Sequence, residues 1–415
     1  MDDYRPRSIT DAVLAALTDT PVVMLHGARQ TGKTTLAQHI ARVAHPVRYV
    51  TLDDAVVLAA ARTDPTAFLK GLEGPVVLDE VQRAPDLFLA IQAEVDRHRR
   101  PGRFLLSGSA NVLLVPQLSE SLAGRIEILT LRPFSQGEIE AVRENFIDAV
   151  FDDSLRPAGG CDDLIARILR GGYPPALERP DPERRRAWLG SYVTTTLDRD
   201  IRDLSHIDAL SSLPRLLALI ATRTAGLLNF MDLARGSGIP QTTLKRYFAL
   251  LEATFLVQLV QAWTNNLGKR LIKAPKLYLN DTGLAAYLLG LNEKRLERDL
   301  GLKGALLENF VAMELEKQAG WSQACPKLFH FRTAAGQEVD FVLENPAGDL
   351  VGIEVKVSAT VSSRDFNGLR ALAELAGPRF RNGIVLHTGS ARVSFGPRLR
   401  AVPVGALWQS HADEA

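Results

Sequence analysis

The chain has 415 residues, 46% of them hydrophobic and 23% charged, with a formal net charge of +1. That length exceeds one ordinary core and points to two or three domains of a soluble globular class. A net charge so near zero excludes a global field that would gather nucleic acid, so any basic surface must be local.

Cys161 and Cys325 stand far apart and outside any metal-ligand spacing, which argues against a disulfide framework or a zinc site. Met1-Asp2-Asp3-Tyr4 is acidic and opens no apolar run, so a signal peptide is not expected. No stretch reaches the ~18 apolar residues of a membrane span. The expected setting is the cytoplasm, with no membrane partner.

Residues 21–132 alternate short apolar runs with longer helical patterns. Pro21 to His26 reads as a buried strand and Val47 to Leu52 as a less apolar one. Val76 to Leu78, Phe104 to Leu106 and Ile126 to Leu129 complete the set. Strands separated by helices predict an α/β fold with a parallel sheet covered on both faces.

Between the first strand and a helix from Thr34 to Val43 lies Gly27-Ala28-Arg29-Gln30-Thr31-Gly32-Lys33-Thr34, a complete G-x-x-x-x-G-K-[ST] phosphate loop. Gly27 and Gly32 let the backbone curl so that its N–H groups face phosphates, and the helix adds its positive end. Lys33 is expected to reach the β- and γ-phosphates of ATP, and Thr34 to hold magnesium through its hydroxyl. Thr35 extends the nucleotide-binding set. Asp79-Glu80 ends the strand Val76 to Leu78: beside the phosphate loop Asp79 is expected to orient magnesium and Glu80 to polarise the attacking water, where alone the pair would read as a solvated acidic strand end.

On these residues the region resembles the AAA-type ATPases, which place Asp-Glu after the third strand, a polar sensor after the fourth and an arginine before the fifth. The resemblance makes Ser107 or Ser109 the sensor. It makes Arg125, in Leu122-Ala123-Gly124-Arg125, an arginine finger acting across a subunit interface of a homo-oligomer. The alternative for Arg125 is a surface pairing with Glu120 or Glu127.

Leu155 to Asp163 breaks the pattern and reads as a linker after an ATPase domain of residues 1–154. Residues 164–225 read as a helical lid or connector. In 226–300, Asp232 to Pro240 reads as a short helix and a turn, and Gln241 to Ala253 as a second helix, the outline of a helix-turn-helix. The strand Phe255 to Val260, with Lys276 to Leu279 as partner and residues 265–270 as a wing, would complete a winged helix. Lys245, Arg246, Lys269, Arg270 and Lys273 would then contact DNA phosphates. Packing without DNA is the other reading. Arg184-Arg185-Arg186 reads as a solvated helix face.

Residues 301–410 read as a helix, an alternating strand pair, then helix and strand. Gln337 to Glu344 and Leu350 to Val357 flank the turn Asn345-Pro346-Ala347-Gly348-Asp349, so they form a hairpin. Centred near Ala347, it sets Asp340 opposite Glu354, with Lys356 on the same face and Val339, Phe341, Ile353, Val355 and Val357 on the other. Asp340 and Glu354 could hold a divalent metal while Lys356 positions water. This spacing resembles the restriction-endonuclease-like nucleases, whose signature is an aspartate followed by Glu-x-Lys. By that resemblance Glu308 is the added acidic residue from the preceding helix. A solvated acid–lysine pair is the plainer alternative.

The whole order resembles a family of bacterial and archaeal ATP-binding proteins with an AAA-type domain and an uncharacterised C-terminal domain. The residues that carry it are Leu122 to Arg125, Gly171-Gly172-Tyr173-Pro174, Lys276 to Leu284, and Glu338-Val339-Asp340-Phe341. The resemblance assigns no job to the downstream domains; the complete phosphate site together with the Asp340, Glu354, Lys356 face leads to the expectation of an ATPase that couples nucleotide state to DNA binding, and to cleavage if the C-terminal centre is active. The alternative is an ATP-driven switch on a protein partner.

Overall fold

The computed structural model describes residues 4–109, 122–156, 158–204, 212–270 and 272–409. They form two compact units, Met1–Phe134 with Leu250–Phe255, and Ser135–Ala249 with Leu256–Ala415.

The first unit is built on β1 (Val22–His26), β2 (Arg48–Thr51), β3 (Val76–Asp79), β4 (Phe104–Gly108) and β5 (Ile126–Thr130). All pair in parallel, in the order β2-β3-β4-β1-β5. The three inner strands are buried throughout, and the edges β2 and β5 are partly exposed. Because side chains alternate along a strand, Val22 and Met24 enter one apolar cluster with Leu87, Phe88 and Ile91. Val23 and Leu25 enter another with Val13, Leu17 and Leu36 on the opposite face. The expected two-sided parallel sheet is present. Asp54 and Asp64 cap two successive helices, Ala55–Thr63 and Pro65–Lys70, by accepting from first-turn backbone N–H groups.

The second unit opens with helices, the longest Pro182–Leu204, and ends in an eight-stranded sheet. Its strands are β6 (Val257–Ala262), β7 (Lys276–Leu279), β8 (Lys327–Arg332), β9 (Glu338–Glu344), β10 (Leu350–Lys356), β11 (Phe380–His387), β12 (Val393–Ser394) and β13 (Leu399–Pro403). The order is β12-β13-β11-β10-β9-β8-β6-β7. Sequence reading missed β8 and did not place β6 and β7 in this sheet. β6 pairs antiparallel with β7, as expected, but it also pairs in parallel with β8.

The wing is a correction. Residues Leu267–Arg270 form a helical turn. The Arg270 guanidinium lies 4.9 Å from the Phe329 ring centre and pairs with Glu344 at 2.5 and 3.0 Å. Consumed by an internal carboxylate, Arg270 is not a phosphate contact. Lys273 donates to the Arg332 carbonyl at 3.3 Å, and the Lys269 side chain lies outside the described residues. The helix pair itself is present as Phe230–Ser237 and Gln241–Ala253, joined through Gly238 at φ 73°. Asn229 caps the first helix through the N–H groups of Met231 and Asp232.

The two glycine-bearing motifs of the middle region interlock. Asp281 accepts from the Gly172 N–H at 2.7 Å and from the Leu284 N–H at 2.8 Å. Gly171 has φ +69°, and a Cβ there would lie 2.3 Å from the Asp281 carboxylate. A Cβ on Gly283 would lie 2.7 Å from the Arg170 carbonyl oxygen. Only glycine permits this approach, so both motifs are explained by packing.

Candidate functional site

The phosphate loop follows β1 and enters the helix Lys33–His39. Gly27 has φ +151°, and a Cβ there would lie 2.1 Å from the Leu131 carbonyl oxygen, so the loop presses on the chain leaving β5. Gln30 and Gly32 also take positive φ, as a loop curling around an anion requires. Lys33 is buried, and its ammonium donates to the carbonyls of Gly27 at 3.0 Å and Ala28 at 2.7 Å. Thr31 ties the loop to itself by donating to the Ala28 carbonyl at 2.9 Å. Arg29 is half-buried, and Thr35 is exposed.

Asp79 ends β3 and is 1% exposed. Its carboxylate accepts from Thr34 at 2.9 Å, from Tyr49 at 2.6 Å and from Ser107. β4 lies between β1 and β3, which puts Ser107 between the loop and Asp79. Burial, then the Asp79 hydrogen bond and charge, push the Tyr49 hydroxyl pKa well above its ordinary value, so it stays a donor. Glu80 follows in a left-handed backbone conformation at φ 59°. Its carboxylate accepts from the Gln82 amide, which also donates to Ser109 at 3.0 Å. The two serines left open by sequence divide the work: Ser107 holds Asp79, and Ser109 joins the Glu80 network. A hydroxyl beside a carboxylate suits magnesium, so Thr34 and Asp79 fit that ion, which would neutralise phosphate charge.

Arg125 precedes β5, and its carbonyl accepts from the Val22 N–H at the start of β1. The loop leaves the other end of β1, so Arg125 lies a strand length from its own chain's loop. It makes a two-point ion pair with Asp96, at 2.6 and 3.0 Å. Asp96, not Glu127, is the carboxylate in that pair, and Glu120 lies outside the described residues.

In the second unit, β10 pairs with β9 from Leu350 opposite Glu344 to Ile353 opposite Phe341, a register centred on Ala347. β8 sets Phe329 opposite Val342 and Phe331 opposite Val339, so β9 carries an extra residue at Asp340–Phe341. This bulge re-aims Asp340 and breaks the expected two-face alternation. Val339 and Val342 both enter one apolar cluster with Phe366 and Leu369. Asp340 reaches the Val355 N–H at 2.9 Å, and its own N–H lies 3.4 Å from Glu354. Lys356 pairs with Glu354 at 2.8 Å. Glu308 comes from the helix Leu300–Ala319, whose next residue, Asn309, exchanges hydrogen bonds with both backbone groups of Leu279 on the edge strand β7.

Sequence reading gave Lys276 no chemical role. From β7 its ammonium reaches Glu308 at 2.8 Å, Asp340 at 2.9 Å and Glu338 at 3.0 Å, with 3% of the side chain exposed. Burial lowers its pKa, but the charges of Asp340, Glu308 and Glu338 more than offset this and hold the ammonium protonated. Burial, then the Asp340 charge, raise Glu308 to about 7 and Glu354 to about 8. Tyr278 also donates to Glu308 at 2.7 Å. Among the described residues no group of three or more His, Cys, Asp or Glu is arranged to hold a metal ion. The oxygens of Asp340 and Glu354, where a metal is expected from sequence, face Lys276, Lys356 and backbone N–H groups.

Three families match successive parts of the chain: AAA domain at residues 19–140, and two domains of unknown function, DUF8612 at 161–295 and DUF4143 at 303–407. Uncharacterized protein Rv2008c of Mycobacterium tuberculosis and Uncharacterized protein Mb2031c of Mycobacterium bovis are each 35% identical over 395 residues, 94% of this chain and 82% of theirs. The chain belongs to the family of these mycobacterial proteins. Its N-terminal part is an AAA-type P-loop module, a kind of fold that binds and hydrolyses ATP. Two solved structures show a loose likeness to the chain. The Thermotoga maritima RuvB Holliday junction branch migration motor has 22% identity and a TM-score of 0.28, covering 60% of this chain and 86% of its own. AMPPCP-bound DnaA from Aquifex aeolicus has 15% identity and a TM-score of 0.27, covering 59% and 86%.

In this family member two supports of the nucleotide site carry no local signature. Tyr49 is one. Arg7 is the other: it donates to the carbonyls of Thr31 and Arg132 at 2.7 Å and lies 4.5 Å from the Phe134 ring centre. No described helix is long and apolar enough to cross a membrane.

Proposed function

We propose that this protein is a magnesium-dependent ATP hydrolase whose nucleotide state governs DNA binding by its second unit. The carrying observation is the joined pair of networks, Thr34–Asp79–Ser107 and Glu80–Gln82–Ser109, beside a complete phosphate loop. In this reading Lys33 exchanges loop carbonyls for β- and γ-phosphate oxygens, and Thr34 and Asp79 hold the magnesium. Glu80 takes a proton from water as the water oxygen bonds to the γ-phosphorus and the bond to the bridging oxygen breaks, releasing ADP and phosphate. Arg125 would serve a neighbouring copy's nucleotide.

DNA binding is supported by the helix pair and by the exposed Lys245 and Arg246 on its second helix. The helix, three antiparallel strands, helix and parallel strand formed by Leu300–Ala319, β8, β9, β10, Asn367–Ala376 and β11 support the endonuclease-like reading of the domain at 301–410. The test is anisotropy of labelled duplex DNA across salt concentrations with ATP, ADP or neither. The reading expects nucleotide-dependent affinity that weakens with salt, and a salt slope shallower by about 1 for each of Lys245→Ala and Arg246→Ala. No binding at low salt rejects it. That result would select an ATP-driven switch on a protein partner, a reading favoured by Lys276 among the carboxylates, because its ammonium competes there with the divalent ion that cleavage would need.

A further inference from the structure

We propose that Lys276 is the resident cation of the carboxylate cluster, standing where a nuclease of this build would hold a divalent ion, so that the folded protein excludes metal there. The geometry carries it. One ammonium lies within 3.0 Å of carboxylates from a helix, Glu308, and from β9, Glu338 and Asp340. It reaches them from β7, three positions beyond β9 in the sheet order. The ammonium donates to Glu308 and Asp340 and pairs with Glu338 as well.

The oxygens of Asp340 and Glu354 are also engaged. Asp340 accepts from Lys276 on one oxygen and from the Val355 N–H on the other. Glu354 accepts from Lys356, with the Asp340 N–H near its second oxygen. A magnesium ion needs carboxylate oxygens at about 2.0–2.1 Å along these same lone pairs, and it would meet a buried positive charge at close range. Lys276 pairs with Glu308, Glu338 and Asp340 together, so removing it takes away their shared counter-charge and opens a place for another cation.

The inference rests on the endonuclease-like reading of the second unit. That reading stands or falls with DNA binding, whereas this one is read from metal binding. The experiment titrates full-length protein, without nucleotide, with manganese followed by electron paramagnetic resonance. Asp340→Ala serves as the blank for manganese bound elsewhere. The wild-type protein is expected to show no binding that Asp340→Ala removes. Lys276→Met is expected to gain one manganese per chain, at least about tenfold tighter, lost again in Lys276→Met with Asp340→Ala. Lys276→Gln gives a second folded variant if methionine destabilises the sheet, with circular dichroism as the check. Asp340-dependent manganese binding by the wild-type protein overturns the proposal, as does a folded Lys276 variant that binds none. If neither variant folds, the wild-type comparison still decides.

Discussion

The Thr34 hydroxyl donates to the Asp79 carboxylate across 2.9 Å, joining the loop after β1 to the end of β3. Tyr49 and Ser107 fix that carboxylate from two further strands. Asp79→Asn keeps the shape but removes the charge that would face magnesium. ATP turnover, followed by phosphate release, should fall by about 10²-fold or more, with a smaller effect on the fold seen by thermal melting. Unchanged turnover would remove Asp79 from the site.

Arg125 cannot serve its own loop, because they lie at opposite ends of β1. Arg125→Ala and Lys33→Ala, each inactive alone, should regain turnover when mixed, since a mixed assembly sets one intact loop against one intact arginine. If Arg125 only stabilises the unit through Asp96, then Asp96→Ala will match Arg125→Ala, and mixing will restore nothing.

Asp281→Ala should destabilise the second unit by about 3 kcal/mol, because two buried N–H groups lose their acceptor. Gly171→Ala should be at least as severe, since its Cβ meets that carboxylate in a left-handed backbone. Chemical denaturation measures both. A loss under about 0.5 kcal/mol in either would refute the interlock.

Burial, then the charges of Arg132 and Lys33, hold the His26 pKa down at about 4. Below the ordinary value of 6.5 the unfolded chain takes a proton that the folded chain refuses until about pH 4. Stability is therefore lost as pH falls from 6.5 to 4, by up to about 3 kcal/mol from this residue. His26→Gln should flatten that part of a melting-temperature profile against pH. An unaltered profile would place the acid sensitivity elsewhere.

What sequence could show was local. The phosphate loop is eight consecutive residues, and Asp79-Glu80 ends an apolar run. The hairpin register followed from turn chemistry at residues 345–349. Arg7, Tyr49 and Lys276 were hidden because each acts on residues distant in sequence, through a sheet order that no periodicity announces. The bulge at Asp340 was hidden too: strict alternation is the only strand signal, and a bulge interrupts it. Arg270 was misread because an exposed-looking basic pair gives no sign of the half-buried Glu344 that receives it.

ATP turnover by Glu80→Gln, with nucleotide binding measured on the same sample, tests the central claim most directly. The account predicts that binding persists while turnover falls by about 10²-fold or more, because the loop and Lys33 are intact and only the base is lost. Turnover equal to that of the wild-type protein would contradict it.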